Sequence, residues 1–190
     1  MKKLIGLTGR AGSGKSTVAK MIESHFFDED FCSTWSLAYP MKIMLKSAGL
    51  FPEDVLFGPS ELRSTPHPVL GFTARHALQT LGTSWGRGLH SDIWIHLTIN
   101  GCKNYAGISI ISDVRFLNEA HAIREAGGEV WMLTRGGLEG EAGQHPSETE
   151  CMSSEMAALC TRRIRNDDWS RDELRQYVHS ALVADGLVDL

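Results

Sequence analysis

The segment Gly9-Arg10-Ala11-Gly12-Ser13-Gly14-Lys15-Ser16, followed by Thr17, constrains this chain more than any other. It fits G-x-x-x-x-G-K-[ST] in full. It stands between an apolar run, Lys3 to Thr8, and a stretch in which Val18, Met21, Ile22, His25 and Phe26 recur at helical spacing. A buried strand, a glycine turn and a helix leaving the turn directly form the context in which this pattern binds phosphate. The glycines let backbone N–H groups turn inward on phosphate oxygens, and the new helix offers its positive end to the anion. Lys15 then reaches the β and γ phosphates of ATP, and the Ser16 hydroxyl is placed to ligate Mg²⁺. Until phosphate arrives, Lys15 is expected to be solvated. Gly9, Gly12, Ser13, Gly14, Lys15, Ser16 and Thr17 are the expected ATP-binding residues. Two readings of Arg10 are open, a phosphate contact and a solvated loop residue.

Along the rest of the chain, Phe31 to Leu37 reads as a second strand. After Pro40, Met41, Met44, Leu45 and Ala48 mark a helix that Gly49 stops. Residues 52–68 hold four of the six prolines and are expected to be irregular. Phe72 to Trp85 is predicted helical, with Ala74, Ala77, Leu78 and Leu81 on one side. Next, Ile93, Ile95, Leu97 and Ile99 alternate as in a strand, whereas the length and the Ser91-Asp92 start favour a helix; both readings are open. Gly107 to Asp113 is the clearest interior strand. Leu117, Ala120, Ile123 and Ala126 describe the helix behind it, ended by Gly127-Gly128. Glu129 to Thr134 and Arg162 to Arg165 are further strands, and Asp172 to Ala184 is the closing helix. Residues 136–143 contain four glycines and no aromatic residue, which predicts a mobile loop. This order is that of an open α/β fold. It predicts a largely parallel, five-stranded sheet with helices on both faces and ligands beyond the carboxyl ends of the strands.

Composition removes other classes. Among 190 residues, 42% hydrophobic and 22% charged is a globular balance, which excludes disorder, collagen-like repetition and coiled coil. The 19 basic and 23 acidic side chains leave a formal net charge of −4. A chain built to grip a polynucleotide carries a basic excess, so no polynucleotide partner is expected. No window approaches the ~20 apolar residues of a membrane span. The run that opens at Met1-Lys2-Lys3-Leu4-Ile5 stops at Thr8-Gly9-Arg10, short of a signal sequence. Cys32, Cys102, Cys151 and Cys160 form no C-x-x-C pair, which fits reduced thiols in a cytoplasm better than zinc or a disulfide scaffold. No membrane partner and a cytoplasmic location are expected, and a homodimer is compatible with the sequence.

A guanine-selecting N-K-x-D segment is absent, since Asn166-Asp167-Asp168 lacks the lysine and the spacing. Motors and helicases with this loop are usually larger. A small-molecule kinase remains, and such an enzyme needs basic residues around an acceptor and a lid. Asp113 ends the most hydrophobic strand, where it holds a water of the Mg²⁺ shell, orients Arg115 or caps the following helix. Lys42 follows the second strand. Arg75 and Gln79 lie one helical turn apart, away from the apolar stripe, suited to a phosphate and a base edge or simply solvated. Arg135 enters the glycine-rich loop, and Arg162, Arg163 and Arg165 follow it; one of the four is expected to meet the transferring phosphoryl group.

Leu37-Ala38-Tyr39-Pro40-Met41-Lys42, Arg75 with Leu78-Gln79-Thr80-Leu81-Gly82-Thr83-Ser84-Trp85-Gly86-Arg87, Ile111-Ser112-Asp113-Val114-Arg115-Phe116-Leu117-Asn118-Glu119-Ala120, His145-Pro146-Ser147-Glu148 and Ile164-Arg165-Asn166-Asp167 follow the glycine loop in order. Together they resemble the deoxynucleoside monophosphate kinases of tailed bacteriophages. The resemblance covers nearly the whole chain. It implies a three-layer P-loop kinase fold in one domain over 1–190, with a helical acceptor-binding insertion at 38–104 and a lid-like loop at 135–150. It implies Mg·ATP-dependent phosphorylation of a deoxynucleoside monophosphate, in the host cytoplasm if the chain is phage-encoded. Lys15, Arg115 and Arg135 would be catalytic, and Lys42, Arg75, Gln79, Trp85, Asp113 and Arg115 would surround the acceptor. Ser84 stands where an acidic residue is common, Leu117 where proline is frequent and Asp168 where glycine is usual. Kinases of dephospho-coenzyme A or phosphomevalonate are the nearest enzymatic rivals, and a nucleotide-binding protein without turnover is the rival of another class.

Overall fold

The apolar run after Lys3 becomes strand β1 (Leu4–Thr8), buried along its whole length. The computed structural model describes residues 3–26, 31–136, 149–167 and 169–188. Helix α1 (Lys15–Glu23) leaves the glycine turn directly. It stops short of His25 and Phe26, which follow it in a tightened turn where the Phe26 N–H donates to the Glu23 carbonyl at 3.0 Å. Strand β2 (Cys32–Trp35) is shorter than the expected 31–37.

Helices α2 (Tyr39–Ser47) and α3 (Glu53–Phe57) follow, then a 3₁₀ turn, Ser60–Ser64. The proline-rich stretch is therefore not irregular throughout. Pro52 and Pro59 sit immediately before a helix and the 3₁₀ turn, where a missing N–H removes no intrahelical bond. Helix α4 (Ala74–Gln79) is capped by Thr73, whose Oγ1 accepts the His76 N–H, and it widens into a π-helix over Thr80–Arg87. The ambiguous segment is helix α5 (Ile93–Asn104). Its buried residues are Trp94, Ile95, Thr98, Ile99 and Cys102, a spacing of three and four, while Leu97 is 48% exposed, so the strand-like alternation does not match burial.

Strand β3 (Ile108–Val114) leads to helix α6 (Leu117–Glu125) and strand β4 (Glu129–Thr134). The loop expected at 136–143 falls almost wholly outside the described residues, as do His145-Pro146-Ser147-Glu148 and Asp168. The chain continues through a 3₁₀ turn, Glu150–Met152, helix α7 (Ser154–Leu159), strand β5 (Arg162–Arg165) and helix α8 (Arg171–Ala184). Ser170 and Glu173 form a capping box that starts α8.

All four strand pairings are parallel, in the order β2-β3-β1-β4-β5. Strand alternation sends Ile5, Leu7, Ile110, Trp131, Leu133 and Ile164 to one face, where they pack on Val18 and Ile22 of α1 and Val178 and Leu182 of α8. On the other face Gly6 leaves room for Ile123 of α6, since a Cβ there would lie 2.7 Å from its Cδ1. The result is a three-layer α/β arrangement. The chain divides into two compact units: Met1–Ser36 with Ile99–Leu190, which holds the sheet, and Leu37–Thr98, which enters the chain between β2 and β3. The second unit has its own small core of Leu45, Phe51, Leu56 and Ala74. Among the described residues no helix is long and apolar enough to cross a membrane, and the four cysteines are free thiols.

Candidate active site

The loop between β1 and α1 owes its shape to its glycines. Gly9, Gly12 and Gly14 have φ of +137°, +81° and +104°, and no described residue other than glycine has positive φ. A Cβ on Gly9 would lie 2.2 Å from the Leu133 carbonyl oxygen, and one on Gly14 would lie 2.6 Å from Asn166 Nδ2. Alanine at either position meets both a steric clash and an unfavourable backbone. The Ser13 N–H donates to the Arg10 carbonyl at 3.2 Å, and the Asn166 side chain donates to the Ser13 carbonyl at 3.2 Å. Ser13 is 1% exposed with its hydroxyl unpaired inside the loop, and Ser16 and Thr17 lie exposed in the first turn of α1. Lys15 is not solvated as expected. It is half-buried, and its ammonium donates to the carbonyls of Gly9 and Arg10, both at 2.6 Å, so it is drawn into the loop by the loop's own backbone.

Beside this loop is a cavity of about 290 Å³ lined by Arg10, Ser13, Arg135, Met152, Arg165 and Asp167. The Asp167 carboxylate accepts the Gly136 backbone N–H and two bonds from the Arg165 guanidinium, at 3.2 and 3.0 Å. The Gly136 N–H, and then Arg165, hold its carboxyl below the usual carboxylate range. Of the four arginines considered from sequence, Arg135 and Arg165 therefore line the cavity. Arg162 instead pairs with Asp185 and lies over the Trp131 ring at 5.6 Å, and Arg163 donates to the Ala157 carbonyl at 2.9 Å. Met152, Asn166 and Asp167 were not singled out as site residues; the only signal for the last two was their place in the Ile164-Arg165-Asn166-Asp167 block.

At the end of β3, the half-buried Asp113 carboxylate accepts the Ser36 hydroxyl at 2.7 Å. The capping reading of Asp113 does not hold. The start of α6 is capped by Glu119, whose Oε2 accepts the N–H groups of Arg115 at 2.8 Å and Phe116 at 3.0 Å. Ser36, the residue after β2, thus orients the Asp113 carboxylate, and Arg115 stands in the turn just after it.

The remaining predicted residues lie in the unit Leu37–Thr98. The Lys42 ammonium stands 5.2 Å over the ring of Phe57. Arg75 is exposed and donates to Ser64 Oγ and the Ser60 carbonyl, both at 3.3 Å, one turn before the half-buried Gln79 that ends α4. Trp85 is 47% exposed and Tyr39 55% exposed, so neither is a core residue. Trp85 leans on buried Trp94, with ring centroids 6.4 Å apart, and Trp94 Nε1 donates to the Gly82 carbonyl at 2.8 Å. Gly86 makes room for that indole, since a Cβ there would lie 2.2 Å from it.

A parallel sheet of this order, whose first strand runs through a lysine-bearing glycine loop into a helix, is the P-loop kinase fold. Over 164 residues the chain is 37% identical to a protein of Acanthamoeba polyphaga mimivirus described as "Putative deoxynucleotide monophosphate kinase", a match covering 79% of this chain and 82% of that one. The chain belongs to that kinase family. The family read from sequence thus holds at the level of the kinase, while the relative is mimiviral and not from a tailed phage. No family model matches. Among solved structures, an unliganded sugar kinase of Janibacter sp. HTCC2649 aligns with TM-score 0.40 and 14% identity, covering 99% of this chain and 96% of that one. A "putative kinase" of Chloroflexus aurantiacus aligns with TM-score 0.49 and 10% identity, covering 96% and 97%.

Proposed function

We propose that this chain transfers the γ-phosphoryl group of ATP to a deoxynucleoside 5′-monophosphate, giving the diphosphate, in the cytoplasm where DNA precursors are made. The observation that carries the reading is the fully formed phosphate loop, with Lys15 drawn into it and a cavity lined by Arg135 and Arg165 at its side. The name of the mimiviral relative supports a deoxynucleotide as the acceptor.

Lys15 exchanges two carbonyl partners for phosphate oxygens, and the N–H groups around Gly9 to Gly14 bind the β phosphate. The Ser13 hydroxyl, buried without a partner, is available to a phosphate oxygen. Arg135 and Arg165 face the donor cavity, and Arg115 and Asp113 serve the acceptor. The acceptor phosphate has a second pKa of about 6 and is largely dianionic at neutral pH, so no general base is assigned. Positioning and charge neutralisation carry the rate.

Mg²⁺ fits this donor set. No cluster of three or more His, Cys, Asp or Glu side chains suited to a metal exists among the described residues. Mg²⁺ in phosphoryl transfer needs only one or two protein oxygens besides phosphates and waters. The Ser16 hydroxyl would hold it, with Asp113 orienting a water of its shell. Bound there, the ion neutralises charge on the β and γ phosphates.

ADP release should be measured with each deoxy- and ribonucleoside monophosphate, dephospho-coenzyme A and phosphomevalonate in one coupled assay. Turnover that depends on deoxynucleoside monophosphates is expected. Turnover with only a different acceptor, or with none, sinks the reading.

A further inference from the structure

The turn that carries Arg115 is held by more than its own helix. Three consecutive backbone N–H groups, those of Arg115, Phe116 and Leu117, all donate to carboxylate oxygens. Glu119 takes the first two and is 4% exposed. A capping glutamate of this kind already satisfies the start of a helix. The third N–H goes to Glu150 Oε1 at 2.7 Å, across 33 residues of sequence. Glu150 opens a 3₁₀ turn whose next residue, Cys151, is fully buried, and whose third, Met152, lines the donor cavity with Arg135 and Arg165. A carboxylate two residues before that lining residue thus reaches the backbone of the turn that carries Arg115.

We propose that Glu150 is a positioning residue for Arg115. Resting on the reading of Arg115 as an acceptor-side group, its carboxylate fixes the Val114–Leu117 turn in the one conformation that holds the guanidinium at the acceptor phosphate. Glu119 secures the two N–H groups on the β3 side of the turn, and Glu150 secures the helix side. With both in place, the backbone from which the Arg115 side chain departs is fixed on both sides. Displacing a catalytic group by about 1 Å costs up to ~100-fold in rate, so a loose turn is visible in kinetics even when the fold is intact.

The test uses the full chain with Glu150→Ala, Glu150→Gln, Arg115→Ala and the Glu150→Ala/Arg115→Ala double variant. Glu150→Ala is expected to lower kcat/KM for the monophosphate by roughly tenfold or more, with KM for ATP changed less than about twofold. Glu150→Gln keeps an oxygen that accepts the Leu117 N–H and should recover most of the loss. In the double variant, losing Glu150 should cost nothing beyond losing Arg115. If the alanine variant does not fold, Glu150→Asp, which keeps the charge but is one methylene short, should show the same selective loss. A Glu150→Ala enzyme that is merely less heat-stable, or that loses as much without Arg115 as with it, overturns the proposal. Wild-type chain without monophosphate-dependent turnover overturns the functional reading and this inference together, whereas active wild type with unaltered Glu150→Ala overturns this inference alone.

Discussion

The phosphate loop and the helical unit Leu37–Thr98 present their candidate phosphate-binding groups in different ways. In the loop the work falls to the backbone. Three positive-φ glycines, one lysine held by two carbonyls, and Asn166 bracing Ser13 set the shape before any ligand is considered. In the helical unit the candidate groups are side chains on short helices. Arg75 is exposed and rests on Ser60 and Ser64, Lys42 stands over Phe57, and Tyr39 and Trp85 are about half exposed. Backbone recognition is stiff and tolerates few substitutions. Side-chain recognition is adjustable, so discrimination between acceptors is expected to reside there.

The largest effect should come from the stiff region. Lys15→Ala is expected to lower kcat by several orders of magnitude, because charge stabilisation dominates phosphoryl transfer. Since Lys15 also ties Gly9 and Arg10, a small loss of thermal stability should accompany it. A folded variant that keeps more than about a tenth of wild-type turnover would break the assignment of the loop.

Next come two arginines outside the loop, Arg115 in the turn after β3 and Arg75 in the helical unit. Arg115→Ala and Arg75→Ala should each weaken use of the monophosphate by the equivalent of about 1.5–3 kcal/mol and leave ATP affinity nearly intact. Their structural cost should differ, because Arg75 also holds the 3₁₀ turn Ser60–Ser64. Titrations with each nucleotide decide the matter; weakened ATP binding with unchanged acceptor binding would move the arginine concerned to the donor side.

A smaller effect is expected at the exposed aromatics. Deoxy acceptors should be preferred over ribo ones by up to about a hundredfold, the limit for an apolar wall that must desolvate an added hydroxyl. Replacing Trp85 or Tyr39 with leucine should narrow the gap, chiefly by improving the ribonucleotide. Paired kcat/KM values would test it. A wild type without preference removes the steric explanation, and a gap unchanged in both variants places the wall elsewhere.

The smallest effect concerns acid pH at the cavity beside the phosphate loop. The folded-state pKa of Asp167 is lowered, so the tie it makes to Gly136 is fully present above the pKa of a free aspartate, about 3.9, and is lost as pH falls through the lower folded value. Asp167→Asn should abolish that part of the acid destabilisation and leave stability near neutrality slightly lower. Melting curves from pH 2 to 7 that are parallel for the two proteins would contradict it.

How legible these regions were follows the same division. The strand, loop and first helix could be read because each feature is local: an apolar run, glycines where φ must be positive, and a lysine one residue into the helix. The parallel sheet followed from the order of strands and helices and the right-handed crossover rule, and β4 and β5 lie where the pattern put them, with β3 one residue later. The segment Ile93 to Ile99 reads both ways, since its alternation suits a strand while its length and the Ser91-Asp92 start suit a helix, and burial of Trp94 against Gly82 and Gly86 goes with the helix. The proline-rich stretch misled because a proline that breaks a helix interior is harmless just before a helix begins.

What the sequence by itself determined, then, is the chemistry that backbone and nearest neighbours enforce: a phosphate loop, a parallel sheet to carry it, and the residue types an acceptor kinase requires. Only the tertiary structure decided which of those residues are held and by what. It drew Lys15 onto Gly9 and Arg10, separated Arg135 and Arg165 from Arg162 and Arg163, left Tyr39 and Trp85 on the surface, and brought Glu150 to the turn that carries Arg115. The physical reason is range. Turn geometry and helical spacing act over a few residues, whereas a hydrogen bond such as that from Leu117 to Glu150 joins positions whose proximity exists only after the chain has folded.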